Sequence, residues 1–169
     1  MEKEYTLGVL VENKIGVLAH IAGLFSGRGF NITELSVGET ENPEYSRMTI
    51  VVRGDDFVLE KIKKQLNKFI DVLKVWDLSN VPSVHRELIL IKVKAQPQRK
   101  QEIFQIVEVF KGKIVDISHD TLTLEVTGIA EKIDALISLM KPYGIIEIAR
   151  TGRASISRGL AKKGGKSNG

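Results

Sequence analysis

The chain has 169 residues, enough for one ordinary domain or two small ones. Hydrophobic residues make up 43% and charged residues 27%, which excludes a disordered chain and reads as soluble and globular. No apolar run approaches the roughly 18 residues of a membrane span, and the absence of cysteine excludes disulfides, thiolate metal sites and cysteine nucleophiles.

The net charge of +4 invites nucleic acid until it is located. From Arg150 onward there are six basic residues (Arg150, Arg153, Arg158, Lys162, Lys163, Lys166) and no acidic one. Subtracting these six from +4 leaves residues 1–149 near −2, so the body is mildly acidic. Residues 151–169 read as a basic, flexible tail, either solvated or docked to an acidic partner surface. The stretch "MEKEYTL" lacks the apolar core of a secretion signal, and a cytoplasmic protein is expected.

In chain order, "EYTLGVLVE" alternates Tyr5, Leu7, Val9 and Val11 and predicts a strand. "VLAHIAGLFSGRG" places Leu18, Ile21, Ala22 and Phe25 on one helical face, with Gly27 and Gly29 as stop signals and Gly23 as a site of close packing. "NITELSVGE" and "SRMTIVVRG" read as two strands joined by "TENPEY". A helix from about Asp55 to Lys68 follows, with Asp55 and Asp56 favouring its positive end, and "DVLKVWDL" closes the unit.

The second half repeats this order: strand "ELILIKVKA", helix "QRKQEIFQIVEVF", hairpin "GKIVDIS" and "TLTLEVTG", helix "AEKIDALISLM", strand "GIIEIA". Counted from Gly54, apolar residues fall at Leu59, Ile62, Leu66, Phe69 and Val72. The same offsets from Gly128 give Ile133, Leu136, Met140, Tyr143 and Ile146. The expected fold is α+β, two tandem ferredoxin-like βαββαβ units, each an antiparallel sheet with both helices on one face. The expected domains are residues 1–80 and 85–150, joined by a linker at 81–84 around Pro82. Units this small bury little core alone, so partners are expected at the open sheet faces and edges.

Several chemistries fail on these residues. "GRGFNI" resembles a dinucleotide loop but follows a helix rather than opening one, and Ile32 stands where the third glycine belongs. His20, His85 and His119 are scattered outside any metal-ligand spacing, and Glu39, Glu41 and Glu44 sit on a hairpin as solvated charges. No nucleophile has its setting, so no catalytic residue and no metal site is expected. An RNA-recognition sheet needs aromatic residues on its third strand, and "SRMTIVVR" has none.

The junction "VENKIGVL" remains. A helix start exposes unpaired N–H groups that suit a small carboxylate, and Gly16 leaves the backbone uncovered there. Asn13 supplies an amide that donates and accepts, while Ile15, Val17 and Leu18 offer apolar walls. An alternative is equally open: Asn13 caps the helix and Gly16 merely permits the turn.

At this point "LVENKIGVLAHIAGLFSGRGFNITELSVGETENPEYSRMTIVV" resembles the ACT domain of the acetolactate (acetohydroxyacid) synthase small subunits. The likeness continues through "LEKIKKQLNKFIDVLKV" and "RELILIKVKA" to "IIEIARTGRASISRG", covering residues 4–159. It implies a regulatory subunit that binds and activates a catalytic large subunit and confers feedback inhibition by valine or a related branched-chain amino acid. Thiamine diphosphate, magnesium and FAD are then carried by the large subunit, and this chain has no cofactor. The family dimerises through its ACT sheets and holds the effector between two copies. The matching positions are Asn13, Gly16, Val17 and Leu18 from one chain, with Asn31 and Ile32 from its neighbour. The second half has Pro97 near the corresponding turn and no opening glycine, so it is expected to bind no amino acid in this way and to contact the large subunit. The rival readings are an ACT-type amino-acid sensor for another pathway, for instance one controlling a transcription or cleavage system, and a structural adaptor without a ligand. The main reading expects no nucleic-acid and no membrane partner.

Overall fold

The computed structural model describes residues 3–160. It contains two compact units: residues up to Val84 together with the segment from Ala154, and His85–Arg153.

In the first unit, β1 (Lys3–Glu12), α1 (Val17–Gly27), β2 (Ile32–Glu39), β3 (Tyr45–Gly54), α2 (Asp56–Leu66) and β4 (Val72–Asp77) follow one another. The strands form an antiparallel sheet in the order β2-β3-β1-β4, so β2 is an edge. Alternation puts Leu7, Val9, Met48, Ile50 and Val52 on the helix-covered face with Ile21 and Phe25 of α1 and Leu59, Ile62 and Leu66 of α2. Asp55 caps α2 by accepting from the Val58 N–H (2.8 Å). Asp56 accepts from the buried Tyr5 hydroxyl (2.5 Å), which ties the helix start to β1.

The second unit carries β5 (Ser83–Lys94, entered from the first), a single 3-10 turn at Pro97–Arg99, α3 (Lys100–Val109), β6 (Lys113–Ile117), β7 (Thr121–Gly128), α4 (Ala130–Met140) and β8 (Ile145–Arg150). Its sheet order is β6-β7-β5-β8, the same arrangement. The expected two-unit ferredoxin-like fold is therefore the fold observed. Of the repeat offsets, Leu59 and Ile133, Ile62 and Leu136, and Leu66 and Met140 are all buried core. The last offset slips by one. Val72 pairs opposite Val11, but its counterpart opposite Val93 is Ile145, and Ile146 is 48% exposed.

The flexible tail expected from residue 151 does not begin there. Ala154–Ser157 is a strand, β9, that belongs with the first unit. Ser155 is buried; its N–H donates to Thr49 Oγ1 (3.2 Å), and its carbonyl accepts from Arg47 Nη2 (3.0 Å). Arg47 in turn stacks on Trp76 at 4.3 Å and lies so close to Gly8 that a Cβ there would be 2.8 Å from Nη2. A basic stretch thus contains a short strand whose Ser155 main-chain groups are held by the Thr49 and Arg47 side chains. Residues 161–169, the rest of the expected tail, lie outside the described residues.

Arg150, the last residue of β8, anchors the buried Glu87 carboxylate at 2.5 Å and also meets Asp134 at 3.3 Å. Burial works against the Arg150 charge, but the Glu87 and Asp134 carboxylates outweigh it and raise its pKa.

Tyr5 gives the fold a pH signature. Its hydrogen bond to Asp56, then burial, push the phenol up to about 12. The unfolded chain releases the same proton near 10, so this stabilisation is fully present below about pH 10 and lost as pH rises toward 12. Ultraviolet titration of the native protein should show Tyr5 ionising well above pH 10, and Asp56→Asn should bring it down. An unchanged titration in Asp56→Asn would contradict the assignment.

Candidate functional site

In the first unit β1 passes through a short turn into α1. Two main-chain hydrogen bonds close this junction: Glu12 N–H to the Asp71 carbonyl (2.9 Å) and Asn13 N–H to the Glu44 carbonyl (2.7 Å). They tie the end of β1 to the two loops beside it, so the turn into α1 leaves from a fixed point. Gly16 then takes φ +87° as the residue preceding α1, with open space where a side chain would be. That conformation disfavours any residue with a Cβ, which is why glycine stands there.

Among the described residues no side chain caps α1. Val17 N–H reaches the Lys14 carbonyl (3.3 Å) and His20 N–H the Gly16 carbonyl (2.9 Å). The Leu18 and Ala19 N–H groups have no hydrogen bond among the described residues. Two free donors at the positive end of a helix suit a carboxylate.

Asn13 is not the cap. Its Nδ2 donates to Glu39 Oε1 (2.9 Å) and to the Pro43 carbonyl (3.0 Å). Both partners are acceptors, which orients the amide nitrogen toward them. Its Oδ1 accepts no hydrogen bond among the described residues. Asn13 thus presents an acceptor alone, suited to an ammonium, rather than the donor and acceptor its residue type allows. Sequence reading missed Glu39 as the group that orients it, because that contact depends on sheet order and β2 lies 26 residues further on.

The apolar walls are only partly as expected. Ile15 is fully exposed and Leu18 is 45% exposed. Val17 turns instead into the core beside Ile21 and Phe25, so its side chain anchors the helix start. Gly23, expected at a close packing contact, is exposed, and nothing lies within 4 Å of where its Cβ would be. Gly29, at φ +70°, follows the end of α1 and releases the chain toward β2.

Asn31 and Ile32 lie elsewhere in the same chain. Asn31 is exposed just before β2, and Ile32 is half-buried opposite Val52. Glu39, which holds Asn13, ends β2. At about 3.3 Å per residue, the strand puts roughly 23 Å between Ile32 and Glu39. A single chain therefore brings Asn13, Gly16, Val17 and Leu18 together and leaves Asn31 and Ile32 at the far end of β2.

The second unit keeps the junction and changes its chemistry. Lys94 N–H donates to the Gly144 carbonyl (2.9 Å) and Ala95 N–H to the Asp120 carbonyl (2.7 Å). Lys94 and Ala95 thus stand where Glu12 and Asn13 stand in the first unit. The amide is gone, and the helix start carries Pro97 rather than a left-handed glycine. Among the described residues no group of three or more His, Asp or Glu could hold a metal ion.

A sequence profile described as "AHAS small subunit-like ACT domain" matches residues 7–74, and one described as "Small subunit of acetolactate synthase" matches residues 86–159. The chain is 54% identical over 156 residues to a Methanothermobacter thermautotrophicus protein named "Probable acetolactate synthase small subunit", covering 92% of this chain and 93% of that one. It is 52% identical over 162 residues to the "Acetolactate synthase small subunit" of Aquifex aeolicus, covering 95% and 84%. A crystal structure of the acetolactate synthase small subunit from Thermotoga maritima aligns with a TM-score of 0.86 at 44% identity, over 94% of this chain and 99% of that one.

Gly16, which precedes α1, and Gly23 within it should respond oppositely to alanine. Gly16→Ala forces a side chain into a left-handed conformation and should lower stability by about 1 kcal/mol. Gly23→Ala meets open space in a helix and should raise it by about 0.4–1 kcal/mol. Urea unfolding of both variants is the measurement; a neutral Gly16→Ala would contradict the strained helix start.

Proposed function

The chain belongs to the acetolactate synthase small-subunit family, and from that premise we propose that it binds and activates the catalytic large subunit and confers feedback inhibition by a branched-chain amino acid, valine first. The observation that carries the effector reading is the pairing of opposite chemistries at one junction. Asn13 Oδ1 offers an acceptor for an ammonium, and the free Leu18 and Ala19 N–H groups offer donors for a carboxylate. Exposed Ile15 and Leu18 add an apolar surface for an aliphatic side chain.

In this reading the pocket is completed by a second copy. β2 is a sheet edge that exposes Leu35 and Val37, an invitation to pair. Antiparallel pairing of two copies of β2 lays the start of one strand beside the end of the other. Asn31 and Ile32 of the neighbour then approach Glu39, Asn13 and the α1 start. An amino acid held there bridges two subunits and favours the dimer geometry it fits best. Coupling of about 1–3 kcal/mol between inhibited and active states suffices for feedback control. Discrimination among aliphatic side chains is modest, since one methylene decides about 1–3 kcal/mol, so leucine and isoleucine should act as weaker effectors.

The chain performs no chemistry of its own in this proposal. Thiamine diphosphate, magnesium and FAD belong to the large subunit, and the assembly works in the cytoplasm.

Reconstitution with a matched large subunit tests the proposal. Addition of this chain should raise acetolactate formation and make it sensitive to valine. Gly16→Asp places a carboxylate against the effector's own and should raise the valine needed for half-inhibition by about 10–100-fold, the loss of one charge-assisted contact. Gly16→Asn carries the same backbone cost without the charge and should retain more of the response. Unchanged activity and an unchanged valine response on adding the chain would overturn the reading.

A further inference from the structure

We propose that the second unit carries its own binding site, for a doubly charged oxyanion, in the cavity at the end of β5. The cavity measures about 450 Å³, within the range of small-molecule sites. Its donors are Lys94, Gln96, Arg99 and Thr121. Lys94 makes no ion pair among the described residues, and neither the Gln96 amide nor the Thr121 hydroxyl has a hydrogen-bond partner there. Arg99 spends Nε and Nη2 on Glu102 and leaves Nη1 unbonded. The Arg99 guanidinium also lies 4.3 Å from the centre of the Tyr143 ring, and Tyr143 itself donates to Glu102 (2.9 Å), so the three side chains support one another beside the cavity.

The lining sets the two cations Lys94 and Arg99 against one carboxylate, Asp120, which lies 2.7 Å from His119 Nδ1, so its formal charge is positive. Ile146, passed over at the register shift between β5 and β8 and left 48% exposed, supplies an apolar wall.

The duplication makes this a change of ligand rather than an empty remnant. The main-chain bonds of the junction recur, Lys94 replaces Glu12 and Ala95 replaces Asn13. The first junction offers an ammonium acceptor beside carboxylate donors. The second loses the acceptor and gains cations, which disfavours a zwitterion and favours an anion carrying two charges. A phosphate group and a dicarboxylate share this chemistry.

The test uses the full chain at constant ionic strength, titrated separately with inorganic phosphate and with succinate against a chloride control. Amide NMR shifts at Gln96 and Thr121 should saturate with at least one of the two, and the tighter one identifies the oxyanion. Lys94→Gln should weaken binding about tenfold, and Thr121→Val by a smaller factor, each with an unchanged fold by amide spectrum. Gly16→Asp, in the other unit, should leave this binding untouched, so a failure of the valine reading does not touch this one. No saturable shift with either ion, or equal affinity in Lys94→Gln, would overturn the proposal.

Discussion

The pair of main-chain hydrogen bonds that closes each strand-to-helix junction is what the rest of the structure hangs from. Glu12 and Asn13 in the first unit, and Lys94 and Ala95 in the second, donate to the two loops that flank the central strand. Because these bonds use backbone atoms alone, they hold the helix start in place whatever side chains surround it. The side chains are then free to diverge. In the first unit the Asn13 amide oxygen stands beside two free main-chain N–H groups; in the second, cationic side chains line a cavity. Duplication has kept a geometry and exchanged the chemistry.

The second constraint is that two helices cover one face of a four-stranded sheet. In the first unit the opposite face is also buried at Thr6, Thr49 and Val51, and β9 is bonded to it through Ser155. The edge strand β2 has no such cover, and it connects the two halves of the candidate pocket while holding them roughly 23 Å apart, at about 3.3 Å per residue. In the proposed dimer, pairing the edges would bring the two halves together and give a bound amino acid direct purchase on the dimer geometry.

Much of this was legible in the sequence, for identifiable reasons. Strand alternation through Leu7, Val9 and Val11, helical spacing through Leu59, Ile62 and Leu66, and their recurrence after Gly128 reported the fold because each pattern is set by burial within its own element. What escaped depended on tertiary placement. Asn13 faces Glu39 and Pro43 rather than the helix start, Val17 turns inward, Gly23 faces open space, and β9 lacks any periodicity to announce it. The slip between Val72 and Ile145 arises after the helices: the chain runs from Leu66 to Val72 in the first unit but only from Met140 to Ile145, one residue less, in the second, which counting at fixed offsets does not see.

The central claim is that the effector pocket is built from two chains, and complementation between two defective subunits tests it most directly. Gly16→Asp and Asn31→Ala homodimers should each bind valine poorly by calorimetry. After unfolding and refolding together, heterodimers gather both lesions into one pocket and leave the other intact, so tight valine binding should reappear at half the heterodimer's sites. A pocket contained within one chain would give no recovery on mixing, and that result would contradict the account.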